Sequence, residues 1–164
     1  MLGMPSAGGR RENETADSAV AVGLEVRQFK PTHEALGILV NYLSATPPFE
    51  NFRVRDFIRA LKHQIAKGHH VCAFRNEKLV GYCGWLCTTS EAGEKWMNGG
   101  EDLKPVPDEE ADAAALTIVR ADEADVLQPM IRALRKIGKG KRIFFRRDYE
   151  ADGQAQKRRT VLNV

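Results

Sequence analysis

Apolar residues between Arg53 and Lys67 recur at three- and four-residue steps, a spacing that predicts an amphipathic helix with one face toward a core. The positions that carry this pattern are Val54, Phe57, Ile58, Leu61 and Ile65. Gly68 follows as a natural helix stop. Residues 70–74 and 79–87 are then rich in aromatic, β-branched and small apolar residues, with the polar Asn76-Glu77-Lys78 between them. This order predicts a helix that leads directly into an antiparallel hairpin.

The same periodicities predict shorter elements on both sides of this unit. Before the unit they are an edge strand at 24–29 and a helix that Thr32 caps and Pro47-Pro48 stops. After the unit they are a helix at 90–97 and a strand at 113–119. A helix that Asp122 caps and Pro129 interrupts follows, and then a strand at 141–147. Helices first, then hairpin, strand, helix and strand indicate an α/β protein whose mixed, mostly antiparallel sheet carries helices on its faces.

Length and composition fit one compact domain with flanking segments. The chain has 164 residues, of which 43% are apolar. Residues 1–22 are rich in Gly, Ser and charge without periodicity, which predicts a flexible leader, and we place the domain at 23–148 and a basic tail at 149–164. No stretch approaches the roughly 20 apolar residues that span a bilayer, and the start lacks the apolar run of a secretory signal. We therefore expect a cytoplasmic protein without a membrane span.

Three cysteines, an odd number, lie within the predicted hairpin at Cys72, Cys83 and Cys87. None shows the Cys-x-x-Cys spacing of a metal or redox site, so reduced, buried thiols are predicted, and no metal site. Cys83 is an alternative nucleophile for an acyl-thioester intermediate, although an apolar strand raises a thiol pKa and makes it inert.

The stretch from Glu34 to Trp85, about a third of the chain, contains short motifs in a fixed order. They are Glu34-Ala35-Leu36-Gly37, the small-residue and proline turn Ser44-Ala45-Thr46-Pro47, the pair Asn51-Phe52, and in the hairpin Arg75 followed by Val80-Gly81-Tyr82-Cys83-Gly84-Trp85. Their order and spacing resemble those of the toxin-activating lysine acyltransferases, the haemolysin-activating family that modifies RTX toxins.

This resemblance implies a GNAT-like fold and transfer of an acyl group to a lysine of an acceptor protein. The implied donor is the thioester of an acyl carrier protein, with no cofactor held by the enzyme itself. The matching Asn51, Tyr82 and Trp85 are the implied acyl-binding residues, with core packing as the alternative for the two aromatic residues. A homodimer is compatible with the sequence.

The chain departs from the family at the two positions that perform proton transfer. The family's catalytic histidine corresponds to Phe49, and its partner aspartate corresponds to Thr117. Neither side chain exchanges a proton at neutral pH, and the loss of general acid–base catalysis costs about 10²–10⁴-fold in rate. Among the four histidines, His70 is the candidate substitute, because a strand could turn it toward a cleft; surface or strand-end roles are the alternative.

Basic residues dominate the chain after residue 130. Arg132, Arg135, Lys136 and Lys139 belong to the last predicted helix, which follows Asp122, and to its end. By the resemblance, they would dock an acidic acyl carrier protein, and the alternative is pairing with the chain's own acidic loop at 101–125. Nucleic-acid binding lacks an aromatic platform or a recognised motif and is disfavoured.

The junction 120–125 supplies a further argument about the donor. GNAT enzymes that use coenzyme A usually bind its pyrophosphate at a Gly-rich turn between a strand and a helix N-terminus. Here that turn contains Asp122, Glu123 and Asp125, whose carboxylates repel phosphate.

The sequence as a whole leaves two hypotheses for the function. The protein is an acyltransferase that takes its acyl group from a carrier protein, or it is a catalytically lapsed relative that serves as a binding or regulatory module.

Overall fold

One sheet of six strands, in the order β1 to β6, forms the centre of the protein. The computed structural model describes residues 23–100, 102–151 and 154–163, so the predicted leader lies outside the described residues. The strands are β1 Leu24–Arg27, β2 His70–Arg75, β3 Lys78–Thr88, β4 Ala113–Ala121, β5 Arg142–Ala151 and β6 Gln154–Leu162. The helices are α1 His33–Ser44, α2 Val54–Lys67, α3 Ser90–Met97 and α4 Leu127–Ile137, with a 3₁₀ turn at Phe49–Asn51.

The helix and hairpin of the central segment are confirmed. Thr32 caps α1 by accepting a hydrogen bond from the Ala35 amide, and Gly68 ends α2 in the left-handed conformation at φ +68°. The hairpin turn consists of Asn76 and Glu77, both with positive φ. Two consecutive left-handed residues give the tight turn whose twist matches paired antiparallel strands.

Each face of the sheet has its own apolar cluster. The first holds Leu39 and Leu43 of α1 and Phe57 and Leu61 of α2, packed on the hairpin side chain of Tyr82. The opposite cluster packs α4 on the sheet and includes Val126, Met130, Leu134, Cys83 and Leu116. The mixed, mostly antiparallel sheet with helices on its faces, predicted from the order of elements, is thereby confirmed.

Strands β4 and β5 run parallel and pair over four residues only, from Ala113–Arg142 to Leu116–Phe145. Immediately afterwards, β4 has an extra residue relative to β3, because Trp85 pairs with Leu116 and Gly84 pairs with Ile118. Thr117 is this bulged residue. Within the described residues, β4 from Thr117 onward therefore has no strand partner on its β5 side, and the sheet opens there.

Two predicted boundaries differ from the structure. Asp122 does not cap α4, because its carboxylate instead accepts hydrogen bonds from Tyr42 and Arg120. The helix begins at Leu127, after Val126, without a side-chain cap. Pro129 falls in the first turn of α4, where its missing N–H is not needed. The segment placed in a basic tail contains the end of β5 and all of β6, which pair antiparallel. A polar edge strand is held by backbone bonds that hydrophobic periodicity does not reveal.

No helix among the described residues is both long enough and apolar enough to span a membrane.

Two glycines provide a matched test of this packing. A Cβ at Gly81 would lie 2.6 Å from Val126 Cγ1 and 2.9 Å from Met130 Sδ, whereas one at Gly37, on the exposed side of α1, meets nothing within 4 Å. Gly81→Ala should destabilise the protein by about 1–3 kcal/mol through overpacking. Gly37→Ala should stabilise it by about 0.5–1 kcal/mol through helix propensity. Urea unfolding of both variants measures this, and equal shifts would contradict the assigned packing.

Candidate functional site

A cavity of about 630 Å³ lies where β4 and β5 separate. Its walls come from β4, β5, the end of α3, the start of α4 and the turn between α1 and α2. That turn contains the cis Pro47-Pro48 bond. The cavity thus combines segments that are distant in sequence, and an open strand edge forms one wall.

The two ends of the cavity differ in chemistry. Next to the last β4–β5 pair, the lining combines the apolar Leu116, Phe145 and Trp96 with the guanidinium of Arg146. Phe49 and Phe52 line the cavity from the turn between α1 and α2. The far end of β4 contributes Arg120 and Asp122, next to Leu127 at the start of α4. Five residues separate Thr117 from Asp122, which corresponds to about 16 Å of extended strand. The cavity is therefore elongated, with an aromatic end beside Phe145 and Trp96, where Arg146 is the cation, and an Asp122 end, where Arg120 and a carboxylate lie.

Phe49 and Thr117 both line this cavity, although 68 positions separate them in the sequence. The Phe49 ring is buried and contacts Phe52 edge-on and Phe57 in a stacked arrangement. Thr117 is exposed to the cavity. The fold thus brings to one cavity the two positions that the resemblance assigns to proton transfer, and neither side chain ionises at neutral pH.

Gln64 connects the Thr117 hydroxyl to the protein core. Its amide nitrogen donates to Thr117 Oγ1 at 3.0 Å, and its amide oxygen accepts from the Tyr82 hydroxyl at 2.7 Å. Gln64 is 2% exposed and occupies space left free by Gly84, where a Cβ would lie 2.5 Å from Gln64 Cδ. Because Thr117 accepts from Gln64, its own hydroxyl proton can be donated into the cavity.

Asp122 is the carboxylate of the lining, and it is already paired. It accepts bonds from the Tyr42 hydroxyl at 3.0 Å and from Arg120 Nε at 2.9 Å. Burial is the main cause, and the negative charge of Asp122 the second, of a raised pKa of Tyr42, so this phenol stays protonated. Among the described residues that line the cavity, none is a histidine, cysteine, glutamate or lysine.

The other carboxylates of the β4–α4 junction are compensated by one arginine. Arg75, at the end of β2, pairs with Glu123 and, at 2.5 Å, with Asp125. The hydrogen bond to Asp125 is the main cause of a raised Arg75 pKa. Arg120 also donates to the Tyr42 carbonyl and stacks over the Tyr42 ring, with 3.9 Å between the guanidinium carbon and the ring centroid. The carboxylates predicted to repel phosphate are therefore paired within the protein.

Arg146 provides a second cation to the lining. It donates to the Trp96 carbonyl at 2.9 Å, and its guanidinium carbon lies 4.9 Å from the centroid of the Trp96 ring. This contact joins β5 to the end of α3 and fixes Trp96 at the cavity wall.

His70, the candidate substitute base, does not line the cavity. It is fully buried, with Nε2 accepting from the Phe29 amide at 2.9 Å and Nδ1 placed 3.1 Å from the Gln64 carbonyl, so Nδ1 holds the proton of the neutral ring. Burial lowers its pKa. Both ring nitrogens serve to join the α2–β2 junction to the segment after β1.

The residues implied as acyl-binding are dispersed. Tyr82 is fully buried on the α1–α2 face, and its burial raises its pKa. Trp85 is 2% exposed on the opposite face, stacked on His69. Asn51 is exposed in the 3₁₀ turn beside Phe52, which lines the cavity. None of the three lines the cavity directly, and Tyr82 reaches it only through Gln64.

The four basic residues assigned to carrier docking are exposed. Arg132, Arg135 and Lys136 lie on α4 and Lys139 lies just beyond it. Arg135 Nε donates to the Asn163 side chain at 3.0 Å, and within the described residues no ion pair joins the four to the acidic loop. Helix α4 starts at the cavity with Leu127, so Arg132 and Lys136 lie about 8 Å and about 14 Å farther along its axis.

Sequence reasoning missed Trp96 and Arg146 as cavity residues, and Gln64 as the residue that holds the Thr117 hydroxyl. The sequence does contain a signal for Gln64, because it is a polar residue on the apolar stripe of α2, between Leu61 and Ile65. Trp96 and Arg146 had none, since their shared position depends on how α3 crosses β5. The structure also brings His69, Cys87 and Asp108 together, a potential metal-binding set that the cysteine spacing did not indicate.

No family model and no curated protein match this chain. Solved structures do match. Mosquito arylalkylamine N-acetyltransferase like 5b superposes with a TM-score of 0.54 at 12% identity, over 75% of this chain and 76% of that one. The loading GNATL domain of CurA from Lyngbya majuscula gives 0.51 at 13% identity over 75% of this chain, which spans 64% of that chain's length.

A third structure, the GNAT-like decarboxylase GphF in complex with isobutyryl-CoA, gives a TM-score of 0.51 at 14% identity, over 78% of this chain and 67% of that one. Identities this low establish the fold alone, and the resemblance to the toxin-activating family stays a prediction. The opened sheet, the parallel β4–β5 pair and these superpositions together show that the chain has the GNAT fold.

Proposed function

We propose that the protein is an acyltransferase that accepts an acyl group from a thioester and transfers it to an amine. The observation that carries this proposal is the open edge of β4, from Thr117 to Ala121, along the elongated cavity. An unpaired strand edge presents backbone N–H and C=O groups that can pair with an extended ligand containing amides. A pantetheine arm, which contains two amides and ends in a thiol, has that character.

The proposed arm enters at the Asp122 end and places its acyl group at the aromatic end. Phe49, Phe52, Trp96 and Phe145 provide the apolar surface that an acyl chain requires. The Thr117 hydroxyl, oriented by Gln64, is aimed into the cavity and can donate to the carbonyl oxygen of the thioester. Such a donor stabilises the negative charge that develops on this oxygen during attack.

In the proposed reaction, the amine nitrogen attacks the thioester carbonyl carbon, the C–S bond breaks, and the thiolate leaves. The nitrogen's proton passes to water or to the departing sulfur, because Asp122, about 16 Å from Thr117 along β4, is too distant to accept it. The resemblance of residues 34–85 to the toxin-activating family leads us to infer a lysine of a protein as the acceptor.

For the donor, we favour an acyl carrier protein over free coenzyme A. The junction after β4 contains three carboxylates, compensated by Arg75 and Arg120, which are thereby engaged and unavailable to a pyrophosphate. A carrier protein presents one phosphodiester in place of the pyrophosphate and additional phosphate of coenzyme A. The exposed basic residues on and after α4 would then attract the acidic carrier.

Replacing Thr117 by valine tests the role of its hydroxyl. With an acyl carrier protein thioester and a lysine-containing acceptor, Thr117→Val should lower kcat by about 10²-fold while KM changes little, because the hydroxyl acts mainly on the developing charge. Single-turnover transfer of a labelled acyl group measures this. Gln64→Leu should lower kcat in the same direction, since it leaves Thr117 unoriented.

Thr88→Val is the matched control, because Thr88 is fully buried in β3, outside the cavity, and its hydroxyl has no partner among the described residues. Its activity should equal that of the parent. An unchanged kcat in Thr117→Val would contradict the assigned role of the hydroxyl.

Charge reversal tests the docking surface. The double variant Arg132→Glu/Lys136→Glu should raise KM for an acyl carrier protein at least tenfold and weaken the salt dependence of the reaction, because electrostatic attraction is lost. The reaction with an acyl-pantetheine thioester, which has no carrier, should be unaffected. The control Lys62→Glu/Lys67→Glu reverses two charges on α2. Equal loss with both donors, or in the control, would argue against docking at α4.

A catalytically lapsed relative is the second candidate function, favoured by the packing of Phe49 against Phe52 and Phe57 at the family's histidine position. In that case, the parent binds acyl thioesters without transferring the acyl group. Phe49→His should then create transferase activity absent from the parent, with Phe52→His as control. Measurable turnover in the parent, comparable to or above that of Phe49→His, rules out this candidate.

A further inference from the structure

Three side chains with metal-binding atoms converge away from the cavity lining; we call His69, Cys87 and Asp108 the His69 cluster. His69 lies between α2 and β2, Cys87 is near the end of β3, and Asp108 belongs to the loop that connects α3 to β4. Their nitrogen, sulfur and oxygen ligand atoms all lie within 4.8 Å of one another.

The His69–Asp108 separation within the cluster is longer than a charge-assisted hydrogen bond. His69 Nε2 lies 3.3 Å from Asp108 Oδ1 and 3.6 Å from Cys87 Sγ. A charge-assisted N–H···O bond is shorter, at about 2.7–2.9 Å. The same ring nitrogen lies close to both the carboxylate oxygen and the sulfur, and it holds at most one proton. Three electron-pair donors thus point toward a common space.

The two separations measured from His69 Nε2 match those around a tetrahedral metal ion, and the Cys87 sulfur and the Asp108 oxygen lie within 4.8 Å of each other. Zinc binds imidazole nitrogen at about 2.0–2.1 Å, carboxylate oxygen at about 2.0–2.2 Å and thiolate sulfur at about 2.3 Å. With tetrahedral angles, these bond lengths place nitrogen and oxygen about 3.4 Å apart, and nitrogen and sulfur about 3.5 Å apart. The observed 3.3 Å and 3.6 Å lie within about 0.1 Å of these values.

Burial and packing hold the ligands in place before any ion binds. His69 and Cys87 are 7% and 4% exposed, whereas the Asp108 side chain is 53% exposed. The loop that carries Asp108 is fixed by two further bonds, from the Val106 amide to the Cys87 carbonyl and from Lys141 Nζ to the Asp108 carbonyl, both at 3.3 Å. The site is therefore closed on the protein side and open to water on one side.

We propose that the His69 cluster binds one Zn²⁺ through His69 Nε2, Cys87 Sγ and an Asp108 carboxylate oxygen, with water as the fourth ligand. Thiolate, imidazole and carboxylate together favour zinc among the abundant divalent cations. The ion ties the α3–β4 loop to β3 and to the α2–β2 junction. His69 Nδ1 is buried without a partner among the described residues, so the imidazole lacks the acceptor that usually orients it. We therefore expect weaker binding than at a four-ligand structural site.

Metal titration of the full chain tests this proposal. After removal of metal by a chelator, the folded protein should bind ZnCl₂ at one equivalent in competition with a chromophoric chelator, and its Tm should rise with zinc concentration. With CoCl₂, the protein should show the sulfur-to-cobalt charge-transfer absorption of a thiolate ligand. Asp108→Asn, at an exposed position, should weaken zinc binding at least tenfold, and Cys87→Ala should also abolish the charge-transfer band.

Glu109→Gln and His33→Ala are the matched controls, one an adjacent exposed carboxylate and the other an exposed histidine at the start of α1. Both should bind zinc like the parent. The proposal is overturned if the parent does not bind one equivalent, if Asp108→Asn binds as tightly as the parent, or if the cobalt spectrum lacks the thiolate band. Because Asp108→Asn leaves the buried residues intact, its result stands even where Cys87→Ala fails to fold.

Discussion

The separation of β4 from β5 after four paired residues is the constraint on which the rest of this structure depends. Backbone N–H and C=O groups need partners, and a strand that leaves its neighbour exposes a whole row of them. Here that row, from Thr117 onward, forms one wall of the cavity. The wall is polar although the side chains around its inner end are mostly aromatic or aliphatic, so the cavity can bind an apolar group while pairing with a polar arm.

A buried polar contact fixes the inner end of this opening. Tyr82, Gln64 and Thr117 form a continuous series of hydrogen bonds from the core to the cavity. Buried amides and phenols persist only when their hydrogen bonds are satisfied, because the low dielectric makes an unpaired group costly. Gly84 is part of the same arrangement, since any larger residue there would occupy the position of Gln64. The hairpin sequence thereby controls where a hydroxyl on a different strand points.

Charge at the other end is balanced inside the protein. Arg75 and Arg120, on β2 and β4, pair with the carboxylates of the β4–α4 junction, and Arg120 also holds the end of α1 through Tyr42. These contacts connect α1, the hairpin and the start of α4 around the cavity entrance. The cations of the junction are engaged in holding it together, whereas the basic side chains on and after α4 are exposed, as are Lys62 and Lys67 on α2.

The sequence by itself determined the elements that local patterns define. Helices α1, α2 and α3 and the hairpin were predictable, because their apolar spacing, caps and turn residues act over a few positions. Strand β6 and the late start of α4 were not predictable in this way, since backbone pairing and the contacts of Asp122 decide them. The candidate site belongs to the second class. Phe49 and Thr117 could be singled out through the resemblance, but only the crossing of distant segments gives them a common cavity, adds Trp96 and Arg146 to its lining, and places Gln64 behind Thr117. The same packing buries His70 away from the cavity. Long-range packing fixes such positions, and no local pattern in the chain encodes it.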